Sequence, residues 1–213
     1  METNLFNRIS SSIDNVDSIC VSTPAGRAVT YRELFDQTAQ MANALVSLGL
    51  RPGDRLAAQV EKSFSAIVLY LATVRAGGVF LPLNTAYTPP EVEYFLRDAG
   101  PKLFICDPGS LTTLSLIAEG AGAKVLTLDA NGQGGLADEA ASHLSEFRTV
   151  DRAADDLAAM LYTSGTTGRS KGAMLTHDNL FSNPPSRKSS FESQNTTYRG
   201  KFRTNVNRGS RWN

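Results

Sequence analysis

The chain has 213 residues, 41% of them hydrophobic and 8% aromatic, with 21 Lys/Arg balanced by 21 Asp/Glu. That length is enough for one domain with a sizeable core, and no apolar run is long enough to span a bilayer. Two cysteines (Cys20, Cys106) and two histidines (His143, His177) fit no metal, redox or disulfide spacing, which excludes a disulfide scaffold and a histidine metal centre; a reduced, cytoplasmic setting is expected.

The first residues, Met1-Glu2-Thr3-Asn4-Leu5-Phe6, lack the basic-then-apolar order of a secretory leader. Thr30 and Glu33 have capping-box spacing and predict a helix that carries Leu34, Thr38, Met41, Leu45 and Leu48 and stops at Gly49. Turn chemistry at 51–54 leads to a strand over 55–60, and a second helix runs from Ser63 to Gly77. Residues 79–83 read as extended. Thr88-Pro89-Pro90-Glu91 opens a third helix, with proline where no donor is missed, ending near Gly100. Strands are expected over 102–106 and 124–128 with a helix around 111–119 between them, then a glycine-rich turn and an amphipathic helix over 136–147. Strands alternating with helices predict an α/β fold with a largely parallel sheet.

Two short apolar runs, 157–161 and 173–175, flank the most informative stretch, Leu161-Tyr162-Thr163-Ser164-Gly165-Thr166-Thr167-Gly168-Arg169-Ser170-Lys171-Gly172. Glycines let a backbone turn its N–H groups toward an anion with no Cβ in the way. Hydroxyls add donors and Lys171 adds a mobile positive charge, an inventory suited to a polyphosphate. A Walker A loop needs Gly-Lys-Ser/Thr after four residues, and here Gly172 follows the lysine instead.

This twelve-residue string resembles the phosphate loop of the adenylate-forming (AMP-binding) family of acyl-CoA synthetases, luciferases and peptide-synthetase adenylation domains. Residues 51–55, 59–63 and 76–84 resemble acyl-CoA synthetases as well, so that the resemblance covers about 1–183. Within the family, residues 83–88, 154–159 and 171–177 are similar to malonyl-CoA synthetases. The resemblance implies a partial large N-terminal domain of the adenylate-forming fold, with a mostly parallel sheet flanked by helices. It implies a reaction in which a carboxylate attacks the α-phosphate of ATP, pyrophosphate leaves, and the thiol of CoA displaces AMP. The substrates would be a small carboxylic acid (malonate), ATP and CoA, with Mg2+ neutralising the triphosphate. Thr163, Ser164, Gly165, Thr166, Thr167, Gly168, Lys171 and Gly172 would hold the nucleotide phosphates, and Lys171 would be the catalytic cation.

After Leu180 the periodicity stops. Residues 184–213 carry seven Lys/Arg and one acid, Glu192, whereas residues 1–183 carry fourteen and twenty, a body of −6 joined to a tail of +6. We expect a family segment over 1–183 and a basic, disordered non-family tail over 184–213. The family's adenine-packing, metal-supporting and hinge segments have no counterpart here, so the Mg2+ and CoA sites are not expected in this chain, which reads as a truncated and inactive form. The alternative is a non-catalytic remnant that binds phosphate, a partner subunit or, through the tail's Phe191, Tyr198, Phe202 and Trp212 among basic residues, RNA. A solvated tail without nucleic-acid binding is the expected case. His177 paired with Ser164 as a dyad lacks a Gly-x-Ser-x-Gly elbow and is read as a structural turn, and Asp155-Asp156 and Glu61-Lys62 as polar lead-ins to neighbouring elements.

Overall fold

Side chains on alternate positions of the central strands belong to two different cores, which is why helices cover both faces of the sheet. The computed structural model describes residues 3–22, 26–163 and 170–182. After the short helix α1 (Leu5–Ser10), an antiparallel pair, β1 (Ile19–Ser22) and β2 (Ala28–Thr30), precedes the long helix α2 (Tyr31–Ser47). Then β3 (Arg55–Gln59), α3 (Phe64–Arg75), β4 (Val79–Pro82), α4 (Pro89–Ala99) and β5 (Leu103–Cys106) alternate. A 3-10 turn leads into α5 (Leu111–Gly120), followed by β6 (Lys124–Thr127) and α6 (Gly135–Ala141). Last come β7 (Leu157–Thr163), β8 (Lys171–Thr176) and α7 (His177–Phe181).

Among the described residues the main sheet has six strands in the order β6-β5-β3-β4-β7-β8, parallel except for the β7–β8 pair. Leu56, Ala58, Phe80, Leu103 and Ile105 pack with α2, α3 and α6 on one face. Ala57, Val79, Leu81, Phe104 and Cys106 pack with α4 and α5 on the other. The expected α/β class with a mostly parallel sheet holds. Strands buried on both faces are apolar at nearly every position, as β5 is.

The helix starts follow their capping residues. Ser63 accepts from the Ala66 N–H (3.1 Å), and the Thr88 N–H donates to Glu91 (2.8 Å). The box at Thr30 is half made: the Glu33 N–H reaches Thr30 Oγ1 (3.2 Å), but the Glu33 carboxylate accepts from Arg27 and from Gln37 (3.1 Å) instead of reaching back. The helix expected over 136–147 ends at Ala141. Beyond it the backbone carbonyls are taken from outside: Gln40 binds His143 O, Asn43 binds Leu144 O and Glu146 O, and Arg75 binds Phe147 O. Side chains of α2 and α3 thus supply the donors that further helical turns would have supplied.

Gly134, where α6 begins, has φ +127, and a Cβ there would stand 2.6 Å from the Thr127 carbonyl oxygen. Gly134→Ala combines a backbone region close to glycine-only with a clash against main chain, and is expected to cost about 3 kcal/mol. A lower urea midpoint at unchanged slope would report it, and a midpoint equal to the parent's would refute it.

Candidate functional site

Ala158, Ala159 and Met160 of β7 are buried, whereas Leu161 and Thr163 are exposed, so the strand carries the chain out of the core toward the glycine-rich stretch. β8 brings it back antiparallel, with Cα pairs Met160–Met174, Tyr162–Gly172 and, last, Thr163–Lys171. Thr163 Oγ1 donates to the Lys171 carbonyl at 3.4 Å. The first of the expected phosphate-holding positions, Thr163, and the expected catalytic cation, Lys171, are therefore brought face to face, both exposed. Ser164, Gly165, Thr166, Thr167 and Gly168 lie outside the described residues, as do residues 184–213. Gly172 sits in the ladder with the Met160 methyl against the place its Cβ would occupy.

Two residues that sequence reasoning passed over hold the legs of this ribbon. From α4, Asp98 accepts from the Tyr162 hydroxyl and Tyr94 donates to the Ser170 carbonyl (3.2 Å). Their only sequence signal is a four-residue spacing that puts both on one helix face.

At the far end of β8, roughly 17 Å along the strand from Lys171, His177 is wholly buried. Its Nδ1 accepts from the Leu5 N–H (2.9 Å), burial is the main cause that pulls its pKa down to about 4, and Nε2 finds no partner among the described residues. Its role in the described structure is to tie α7 to α1, while Ser164, the partner weighed for a dyad, lies outside the described residues. Asn4 and Arg8 reinforce the same corner: Asn4 Nδ2 donates to Val74 O (3.0 Å) and Val150 O (2.8 Å), and Arg8 pairs with Asp178 (3.2 Å). Asp156 accepts from the Ala153 N–H (2.8 Å) and so closes the turn before β7.

A cleft of about 910 Å³ opens between the carboxyl ends of β3 and β4, lined by Val60, Glu61, Lys62, Ser63, Asn84 and Thr85 among others. The connections from these two strands leave to opposite faces, β3 through α3 and β4 through α4. Open α/β sheets take their ligands at such switch points. No group of three or more His, Cys, Asp or Glu among the described residues would hold a metal ion, and no described helix is long and apolar enough to cross a membrane.

A sheet covered on both faces, whose last two strands flank a glycine- and hydroxyl-rich stretch of sequence, agrees with the resemblance read from the sequence. The chain belongs to the AMP-binding enzyme family, whose profile matches residues 13–197. MatB from Rhodopseudomonas palustris, solved without ligand, is 55% identical with a TM-score of 0.83 over 86% of this chain and 36% of its own. Its ATP-bound form is 56% identical over the same shares, again with a TM-score of 0.83. A feruloyl-CoA synthase from Amycolatopsis sp is 38% identical over 73% of this chain and 30% of its own length. The chain thus spans about a third of the length of these adenylate-forming relatives.

Proposed function

We propose that this chain supplies the triphosphate-holding part of an ATP-dependent acid–CoA ligase whose acid is malonate. The observation that carries the reading is the ribbon that sets Thr163 opposite Lys171 at the two ends of the glycine-rich run. In this reading a carboxylate oxygen attacks the α-phosphorus of ATP, the bond to the bridging oxygen breaks, and pyrophosphate leaves. The thiol of CoA then attacks the acyl carbon, AMP departs with the bonding pair, and the thiol proton passes to solvent. Thr163, Ser164, Gly165, Thr166, Thr167, Gly168 and Gly172 hold the β- and γ-phosphates through hydroxyls and backbone N–H groups. Lys171 offsets the charge that builds on the departing pyrophosphate, a role that needs position more than basicity.

Mg2+ would partly neutralise the triphosphate, but the described residues form no ligand set for it, and no step here runs through it. The likeness of residues 83–88, 154–159 and 171–177 to malonyl-CoA synthetases, with 55% identity to MatB, supports malonate as the acid. The family segment is placed at 1–183 on the change in charge, although the family profile itself reaches residue 197. Free Cys20 and Cys106 agree with a reducing cytoplasm.

Calorimetric titration of the purified chain with ATP and with pyrophosphate tests the phosphate reading. Saturable binding of both, each displacing the other, is expected; binding of ATP that pyrophosphate leaves untouched would refute it. The acid is tested on any longer product of the same gene, where malonate should outcompete acetate and ferulate in thioester formation, and a preference for either of those would exclude malonate.

A further inference from the structure

We infer that Tyr94, Asp98 and Tyr162 are positioning residues for Lys171, tethering both legs of the β7–β8 ribbon to α4 where the sheet itself no longer holds them. This rests on the triphosphate reading of the ribbon given above.

The sheet's hold on β7 is brief. Among the described residues one register pair, Phe80–Ala159, joins β7 to β4. β4 then ends at Pro82, which has no N–H to give, and the Leu83 N–H turns the other way, to Ala58 O (2.8 Å). From Met160 onward β7 has β8 as its ladder partner, and β8 is the outermost strand. A two-stranded ribbon alone in water is marginal at best.

α4 makes good the loss. Val92, Phe95, Leu96 and Ala99 bury one side of this helix in the core, and the Thr88–Glu91 contact fixes its start. From that anchored helix, Phe95 meets the Tyr162 ring at 4.4 Å between centroids, and Asp98 Oδ2 accepts from the Tyr162 hydroxyl at 2.5 Å. Burial first, and then the Asp98 carboxylate, push the Tyr162 pKa up, so the phenol keeps the proton it donates. On the returning leg the Tyr94 hydroxyl donates to Ser170 O.

The consequence falls on one residue. Lys171 lies between Ser170, held by Tyr94, and Gly172, paired across the ladder with Tyr162. Its main chain is fixed on both sides while its side chain stays exposed, as a cation that must meet a leaving pyrophosphate requires.

Trypsin cleavage after Lys171, read by mass spectrometry on the full chain under native conditions, tests the tether without any nucleotide. Tyr94→Phe and Tyr162→Phe should each speed that cleavage about fivefold, the population change set by one net hydrogen bond when opening is fast. Asp98→Ala should do the same, and Asp98→Asn, which keeps an acceptor for the phenol, should stay close to the parent. Cleavage after Lys102 and Lys124, at the amino ends of β5 and β6, should not change. Unchanged cleavage after Lys171 in both phenylalanine variants would overturn the inference, as would equal acceleration at all three lysines, which marks general loosening. Adding ATP separates the two readings: if the variants are nicked faster yet ATP protects not even the parent, the tether stands and the triphosphate reading falls.

Discussion

Acidifying this chain from pH 7 to pH 4 is expected to remove about 3 kcal/mol of stability through His177 alone. The ring is wholly buried, and Nδ1 already accepts the Leu5 N–H, so the neutral form carries its proton on Nε2. Burial is the largest cause of its low pKa; the positive charges of Arg152 and Arg8 lower it further, and Asp156 opposes them. The pKa falls from the ordinary 6.5 to about 4 on folding. Between those values the unfolded chain binds a proton that the folded chain refuses, so acid favours unfolding. The contribution is fully present above pH 6.5 and is lost as the pH falls toward 4. At about 1.4 kcal/mol per unit the window is worth about 3 kcal/mol. Urea denaturation at pH 7.5, 5.5 and 4.5 would read this, with His177→Gln as the reference because an amide can accept from Leu5 without titrating. The parent should lose more stability than the variant between the first and last pH. Parallel losses would show that carboxylates elsewhere account for the acid sensitivity.

Lys171→Ala should weaken binding of ATP and of pyrophosphate about thirtyfold while leaving AMP within about twofold. A charge-assisted contact to phosphate is worth more than a neutral one, and an alanine cannot reach the anion. AMP lacks the two phosphates the lysine is proposed to meet, so it is the internal control. Lys171→Arg should recover part of the loss, since the charge returns with a different shape. Calorimetry with the three ligands decides the matter: an equal loss for AMP would mean that the substitution disturbs the ribbon and not a phosphate contact. Lys171 meets Thr163 only through its own main chain, the carbonyl accepting from Thr163 Oγ1, so the ladder gives no reason to expect that disturbance.

The elements that sequence reasoning placed well are those written in local chemistry. Ser63 and Thr88 cap the helices expected to start at them, and the two strands flanking the glycine-rich run form the ribbon. What stayed hidden depends on partners far away along the chain. The end of α6 is set by Gln40, Asn43 and Arg75, about 70 to 100 residues earlier. Neither α1 nor the β1–β2 pair was anticipated, because both are short and take their stability from what they pack against. Arg75 is the clearest case. It would pass for an ordinary helix-terminal cation, yet it binds Phe35 O, Thr38 Oγ1 and Phe147 O and lies over the Phe6 ring at 4.4 Å. At the site, Thr163 and Lys171 could be read from the string itself, but their attachment to α4 could not, since a tyrosine and an aspartate four apart suit any amphipathic helix.

The corner where α1 meets α7 also bears on how this chain is born. Leu5 hydrogen-bonds to His177, and Arg8 to Asp178, joining residues about 170 positions apart. At translation speeds of about 5 to 20 residues per second, the first helix waits on the order of ten seconds or more for its partner to be made. Throughout that interval the Leu5 N–H lacks the His177 ring it donates to in the finished fold, whereas Phe6 can already pack against Phe35 and Arg75. Helix α1 is made about 170 residues ahead of its partner α7, so this corner can be sealed only after His177 has emerged from the ribosome.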